Sequence, residues 1–167
     1  MALKLQIMLF LLFPLLGMAQ DKSNLSRFHI EPDRDYMALS PYTFEQTIER
    51  LQKVLESKGI TVFATIEHHK AAEAVGESMS PATVLIVGNP KVGTALMQEN
   101  PLLAIELPLK ILIYEEGKTV NIRYEKVTAI AEKYHIKQNF STAEKIDAAM
   151  LQLIKSSIGE YPRGTAD

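Results

Sequence analysis

Cysteine is absent from all 167 residues, and so is tryptophan. Without cysteine there is no disulfide, no thiol nucleophile, no thiolate metal ligand and no lipid-bearing N-terminal cysteine. A packed core must hold the fold, which a chain of this length can supply. An excess of one charge is lacking too. Eighteen Lys and Arg against 20 Asp and Glu leave a formal charge of −2. Nucleic acid wants a basic surface, so no nucleic-acid partner is expected. No Gly-x-Gly-x-x-Gly follows the first strand, and no His-Glu-x-x-His, Gly-x-Ser-x-Gly or P-loop ending is present. Hydrophobic residues make up 47% and charged residues 23% of the chain, the composition of a globular protein.

The N-terminus differs in kind from the rest. Lys4 is the only charged side chain before Asp21, and Leu5–Leu16 is an apolar run interrupted only by Gln6 and Pro14. Gly17-Met18-Ala19 then offers small residues for cleavage before Gln20. This is the pattern of a secretory signal peptide, and the run is short for a membrane span. Residues 1–19 are read as the leader and 20–34 as a polar linker. The expected location is periplasmic or secreted, with membrane contact only through the leader before cleavage.

From Asp35 onward the chain reads as one domain. Thr43-Phe44-Glu45-Gln46 is a capping box, followed by Phe44, Ile48, Leu51, Val54 and Leu55 at helical spacing, with Gly59 as the stop. Ile60–Glu67 alternates as a strand that places Ile60, Val62, Ala64 and Ile66 on one face. A short helix follows over Ala71–Val75. The central strand is Thr83–Val87, ahead of Gly88-Asn89-Pro90-Lys91-Val92-Gly93-Thr94. That stretch reads as a tight turn, with a helix opening at Ala95 behind a Thr94 cap. Leu102–Leu107 is apolar but shows no period. Pro108–Tyr114 and Thr119–Tyr124 read as a hairpin around Glu115–Lys118. Val127–Tyr134 is helical, and Ser141-Thr142-Ala143-Glu144 reads as a second capping box that opens the last helix. The expected fold is α+β: a mixed, largely antiparallel sheet of about five strands with helices packed on it. The domain is bounded at 35–138, with a C-terminal helix and polar tail over 139–167.

Phe44-x-x-Thr47-x-x-x-Leu51, Lys58-Gly59, Ile66-Glu67-His68, and above all Gly88-Asn89-Pro90-Lys91-Val92-Gly93-Thr94 with Leu107-Pro108-Leu109-Lys110, form a recognisable set. Over about residues 36–136 the chain resembles the domain of unknown function 302 family. Val87 stands where that family usually has Phe, and Glu67 where it usually has Asp. The resemblance implies a compact α+β domain, commonly paired as a dimer, with no established activity.

The candidate site is the Gly88–Thr94 loop. Asn89, Lys91, Gly93 and Thr94 would hold a small anion through N–H groups and the lysine charge, or else form only a turn. His68 is a candidate acid or base beside that loop. Glu106, between Ile105 and Leu107, needs a partner such as Lys110 or Lys91. His68, His69 and Glu73 carry metal-ligand chemistry, but adjacent residues at a strand end point apart, so no metal site is assigned. Ser78, Ser80 and Thr94 have no base fixed near them. No cofactor is expected. The expected function is a non-enzymatic module that binds a small anionic or hydrophobic ligand or a partner protein. The alternatives are an enzyme using His68 and a purely structural dimer. A homodimer is expected from the apolar stretch at Leu102–Leu107 and from the resemblance.

Overall fold

The capping box at Thr43 forms as its local chemistry requires. Thr43 Oγ1 accepts from the N–H of Gln46, and the Gln46 side chain accepts from the N–H of Thr43, both at 3.3 Å. The helix this opens, α1 (Phe44–Ser57), buries Phe44, Thr47, Leu51 and Leu55. It ends where Gly59 N–H bonds Glu56 O and Ile60 N–H bonds Leu55 O, with Gly59 at φ +67°. This is the left-handed helix end that glycine favours. The computed structural model describes residues 33–159, so the expectations for the leader, most of the linker and the tail lie outside the described residues.

The remaining elements follow in the expected order. They are β1 (Asp35–Ser40), β2 (Thr61–Glu67), α2 (His68–Glu73), β3 (Ala82–Gly88), α3 (Pro90–Glu99), a 3-10 turn (Pro101–Ile105), β4 (Leu109–Glu116), β5 (Thr119–Glu125), α4 (Val127–Lys133) and α5 (Phe140–Ile158). The strands lie in the order β1-β5-β4-β3-β2. All four pairings are antiparallel, so the expected α+β sheet of about five strands holds and its antiparallel character is complete. The β4–β5 hairpin turns on Gly117, at φ +60°; β4 runs two residues closer to the turn than its alternation indicates, while β5 starts at Thr119 as expected.

Alternation divides the sheet into two unlike faces. Leu85, Val87, Ile111, Ile113, Ile122 and Tyr124 point to one side and join α1, α3, α4 and α5 in a single core. None of the strand residues on the other side joins that core. One ladder there runs across all five strands through Met37, Arg123, Leu112, Val84 and Ile66. Its flanks include Leu39 at 44% exposure, Tyr114, Ile86 and Ala64, and Ile66 itself is 42% exposed. The protein is therefore a sheet with helices on one face and a second face that is apolar along the ladder and polar beside it, at Asp35, Glu125, Lys110 and Asn121.

Four local expectations change. A register shift between Val62 and Ala64 sends Val62 to the core face and Ala64 and Ile66 to the open face, so the even-numbered residues of β2 do not share one side. Helix α2 starts at His68, ahead of the expected Ala71. Helix α3 begins at Pro90, five residues ahead of the expected Ala95, with Asn89 as N-cap in place of Thr94. The box at Ser141–Glu144 does not form: α5 already starts at Phe140, and its N-cap Asn139 makes no side-chain capping bond. Instead Glu99, at the end of α3, closes that helix start.

Candidate functional site

The residues expected to converge do not. Asn89 caps α3 through its side-chain oxygen, which accepts from the N–H of Lys91 at 3.0 Å. Its carbonyl accepts from the N–H groups of Val92 and Gly93, and Pro90 has no N–H to give. Thr94 Oγ1 donates to Pro90 O at 2.6 Å. The donors that an anion would use are thus consumed within the helix start itself. Lys91 is exposed, and neither Gly88 nor Gly93 has positive φ. Both glycines answer to close packing: a Cβ on Gly93 would lie 3.3 Å from Leu107 Cδ1, and one on Gly88 would lie 3.4 Å from Phe63 and from Pro108.

His68 follows β2 at the end where Glu67 pairs with Thr83, while Asn89 leaves β3 at the opposite end, beyond the Thr61–Gly88 pair. At about 3.3 Å per residue the length of β3 separates them by roughly 20 Å. His68 is exposed. His69 is structural: its Nδ1 meets the backbone of Ala82, and its ring packs edge-on to Phe44 at 5.5 Å. No cluster of three or more metal-ligating side chains occurs among the described residues.

Glu106 does lie in a cleft, with partners other than those expected. Its Oε1 accepts from Lys133 Nζ at 2.7 Å and from Tyr134 Oη at 2.8 Å. These bonds hold its carboxyl below the usual range against a smaller opposing effect of burial. Lys110 reaches only the backbone carbonyl of Glu106, at 3.3 Å.

The cleft arises from the sheet. The β4–β5 register stops at Leu112↔Arg123, while β4 continues beside β3 to Leu109 and β5 beside β1 to Glu125. The next two pairs in that register, Ile111 with Tyr124 and Lys110 with Glu125, are not part of the ladder. The two strands fork, and about 330 Å³ opens between them. Leu109, Tyr124 and Ile130 from the core side line it together with Leu112, and its charged lining includes Lys110 and Arg123. Arg34 bonds Glu125 at 2.7 Å and Arg123 bonds Asp35 at 2.8 Å. Tyr124 stacks on Tyr36 with ring centres 5.3 Å apart, and burial pushes its hydroxyl pKa far up. Of these, the sequence pointed only to Glu106 and, as its possible partner, Lys110.

The profile described as Domain of unknown function DUF302 matches residues 36–156. The chain belongs to the DUF302 family. The match extends through most of α5, whose Met150, Leu153 and Ile154 are part of the same core as the sheet. The crystal structure of an uncharacterised conserved DUF302 protein from Bacillus stearothermophilus has the same fold, with a TM-score of 0.69 and 23% identity over 74% of this chain and 97% of that one. A 78-residue stretch, 47% of this chain, is 35% identical to part of the fluoride-specific ion channel FluC 1 of Brucella suis biovar 1 and of Brucella abortus biovar 1. It spans 31% and 29% of those proteins, so the chain covers about a third of the curated relatives it matches. No described helix of this DUF302 protein is long and apolar enough to cross a membrane.

Proposed function

We propose that this protein is a non-enzymatic binding module that works as a homodimer, with the uncovered sheet face as its interface. The observation that carries this reading is the five-strand ladder Met37–Arg123–Leu112–Val84–Ile66, which lies on a face no described helix covers. Two such sheets pack face to face about 10 Å apart and exclude water from both. The charge pattern favours a second copy as the occupant. Arg123, the one charge in the ladder, is already paired with Asp35, whose side chain is only 8% exposed. Covering the ladder itself therefore strands no lone charge, and the unmatched charge of Lys110, opposite Ile86, lies beside the ladder and not in it.

Leu102 and Ile105, 71% and 76% exposed, form a smaller apolar patch on the 3-10 turn. It involves only part of Leu102–Leu107, because Leu103 is fully buried. The sheet face is the broader surface. The module is further proposed to act after export, supported by the leader pattern through Ala19. N-terminal analysis of material exported by a bacterial host would then begin at Gln20, and recovery of the full-length chain in the membrane fraction would overturn this.

Light scattering tests the dimer. The parent protein should give twice the monomer mass, and Val84→Glu should give the monomer with an unchanged far-UV spectrum. A monomeric parent, or a dimeric Val84→Glu, would overturn the interface.

A further inference from the structure

We infer that the fork between β4 and β5 is a binding site for a small amphiphilic carboxylate, a ligand with an acid group on a short apolar body. The fork between the two strands carries this, although Leu112 and Arg123 belong both to it and to the open face. A gap between two central strands of an antiparallel sheet is unusual, because the ladder bonds it forgoes must be made elsewhere. Here the β4–β5 register ends at Leu112↔Arg123, and the volume beyond it, about 330 Å³, is within the range of small-ligand pockets.

The lining sets the ligand class. Half-buried Leu112 offers apolar surface for a short hydrocarbon body, with the buried side chains of Leu109 and Ile130 behind it. Three of the polar groups are matched within the protein. Glu125 is held by Arg34, Asp35 by Arg123, and Glu106 by Lys133 and Tyr134. Lys110 is the remainder: among the described residues it has no carboxylate within ion-pair distance, and its ammonium donates only to the Glu106 carbonyl. The Arg123 side chain, 41% exposed, adds a second donor group beside it. A carboxylate placed against Lys110 and Arg123 would complete the charge balance, with its apolar tail against Leu112. A cation of the same shape would face an unmatched lysine, so the site discriminates by sign.

Titration of the full described domain with hexanoate, followed by NMR, tests this. Hexanoate should shift the resonances of Lys110, Leu112, Arg123 and Ile130 in a saturable manner, and hexylammonium should not. Lys110→Gln, an exposed substitution, should weaken hexanoate binding at least tenfold while leaving the melting temperature unchanged. Ile66→Glu, on the edge strand β2 and outside the cleft lining, should break the sheet-face dimer yet bind as the parent does, so loss of the dimer and loss of the site are told apart. No saturable shift at these residues, equal binding of hexylammonium, or full affinity in Lys110→Gln would each overturn the inference.

Discussion

Glu99 and Asn139, forty residues apart, meet at the start of the last helix. Glu99 Oε2 accepts from the backbone N–H of Asn139 at 2.9 Å and from its side-chain amide at 3.0 Å. Oε1 accepts from the N–H groups of Lys137 and Gln138, at 2.6 and 2.9 Å. A carboxylate from α3 thus closes the donors that lead into α5, where negative charge is favoured. Asp147 on α5 does the same for α4, accepting from the N–H groups of Val127 and Thr128 at 2.7 and 3.0 Å and from the Thr128 hydroxyl. The helical layer is sewn together by acids that cap helices other than their own.

This arrangement makes stability acid-sensitive. The Lys137 N–H, then the Gln138 N–H, draw the Glu99 carboxyl down from the usual 4.5 to about 2. A folded-state pKa below the unfolded one gives stability that is complete above about pH 4.5 and lost as the pH falls towards 2. Glu99→Gln should therefore melt below the parent at pH 7, with the gap closing between pH 4.5 and pH 2. A gap that stays constant over that range would contradict the role given to the charge.

Glycine substitutions separate backbone strain from packing. Gly59, at φ +67°, ends α1, and Gly59→Ala should cost about 1 kcal/mol in denaturant titrations. Gly93 sits inside α3 without positive φ. Alanine there gains helix propensity but presses on the end of Leu107, a flexible side chain 3.3 Å away. Gly93→Ala should stay within about 0.5 kcal/mol of the parent. An equal loss at both positions would undo the distinction.

His135 holds a place that glycine usually takes. It follows α4 at φ +54°, with its N–H bonded to Glu132 O and that of Ile136 bonded to Ala131 O. These are the same paired bonds that close α1 at Gly59. His135→Gly should raise stability by about 0.5–1 kcal/mol, since the left-handed conformation is costly for a residue with a Cβ. A lower melting temperature in that variant would mean that the imidazole contributes a contact worth more than the strain.

These cases mark what the residues alone could convey. The Thr43 box was legible because both of its partners lie within one helical turn. The Ser141 box had the same spacing and failed, because Glu99, remote in sequence, reaches the chain at Lys137–Asn139 and the helix starts before Ser141. Asn89-Pro90 has the composition of a turn, yet Asn at N-cap followed by Pro at N1 is equally a helix-start signal, and the helix is what forms. The cleft had no such signal. Lys110 was visible only as a neighbour for Glu106, and Arg123 looked like an ordinary strand residue, because a fork depends on where two registers part. The open face was hidden for a related reason: alternation shows that a strand has two sides but not which side the helices leave bare.

The absence of cysteine permits the most direct test of the central claim, that two copies pair through the bare sheet face. Leu112 lies on β4, the middle strand, in the middle of the five-strand ladder. Leu112→Cys should place two thiols near the twofold axis and give a covalent dimer with a short bismaleimide at micromolar protein. Lys145→Cys, exposed on α5 on the helical side, should remain a monomer under the same treatment. Cross-linking of Lys145→Cys to the same extent as Leu112→Cys, or none at Leu112→Cys, would contradict the proposed dimer.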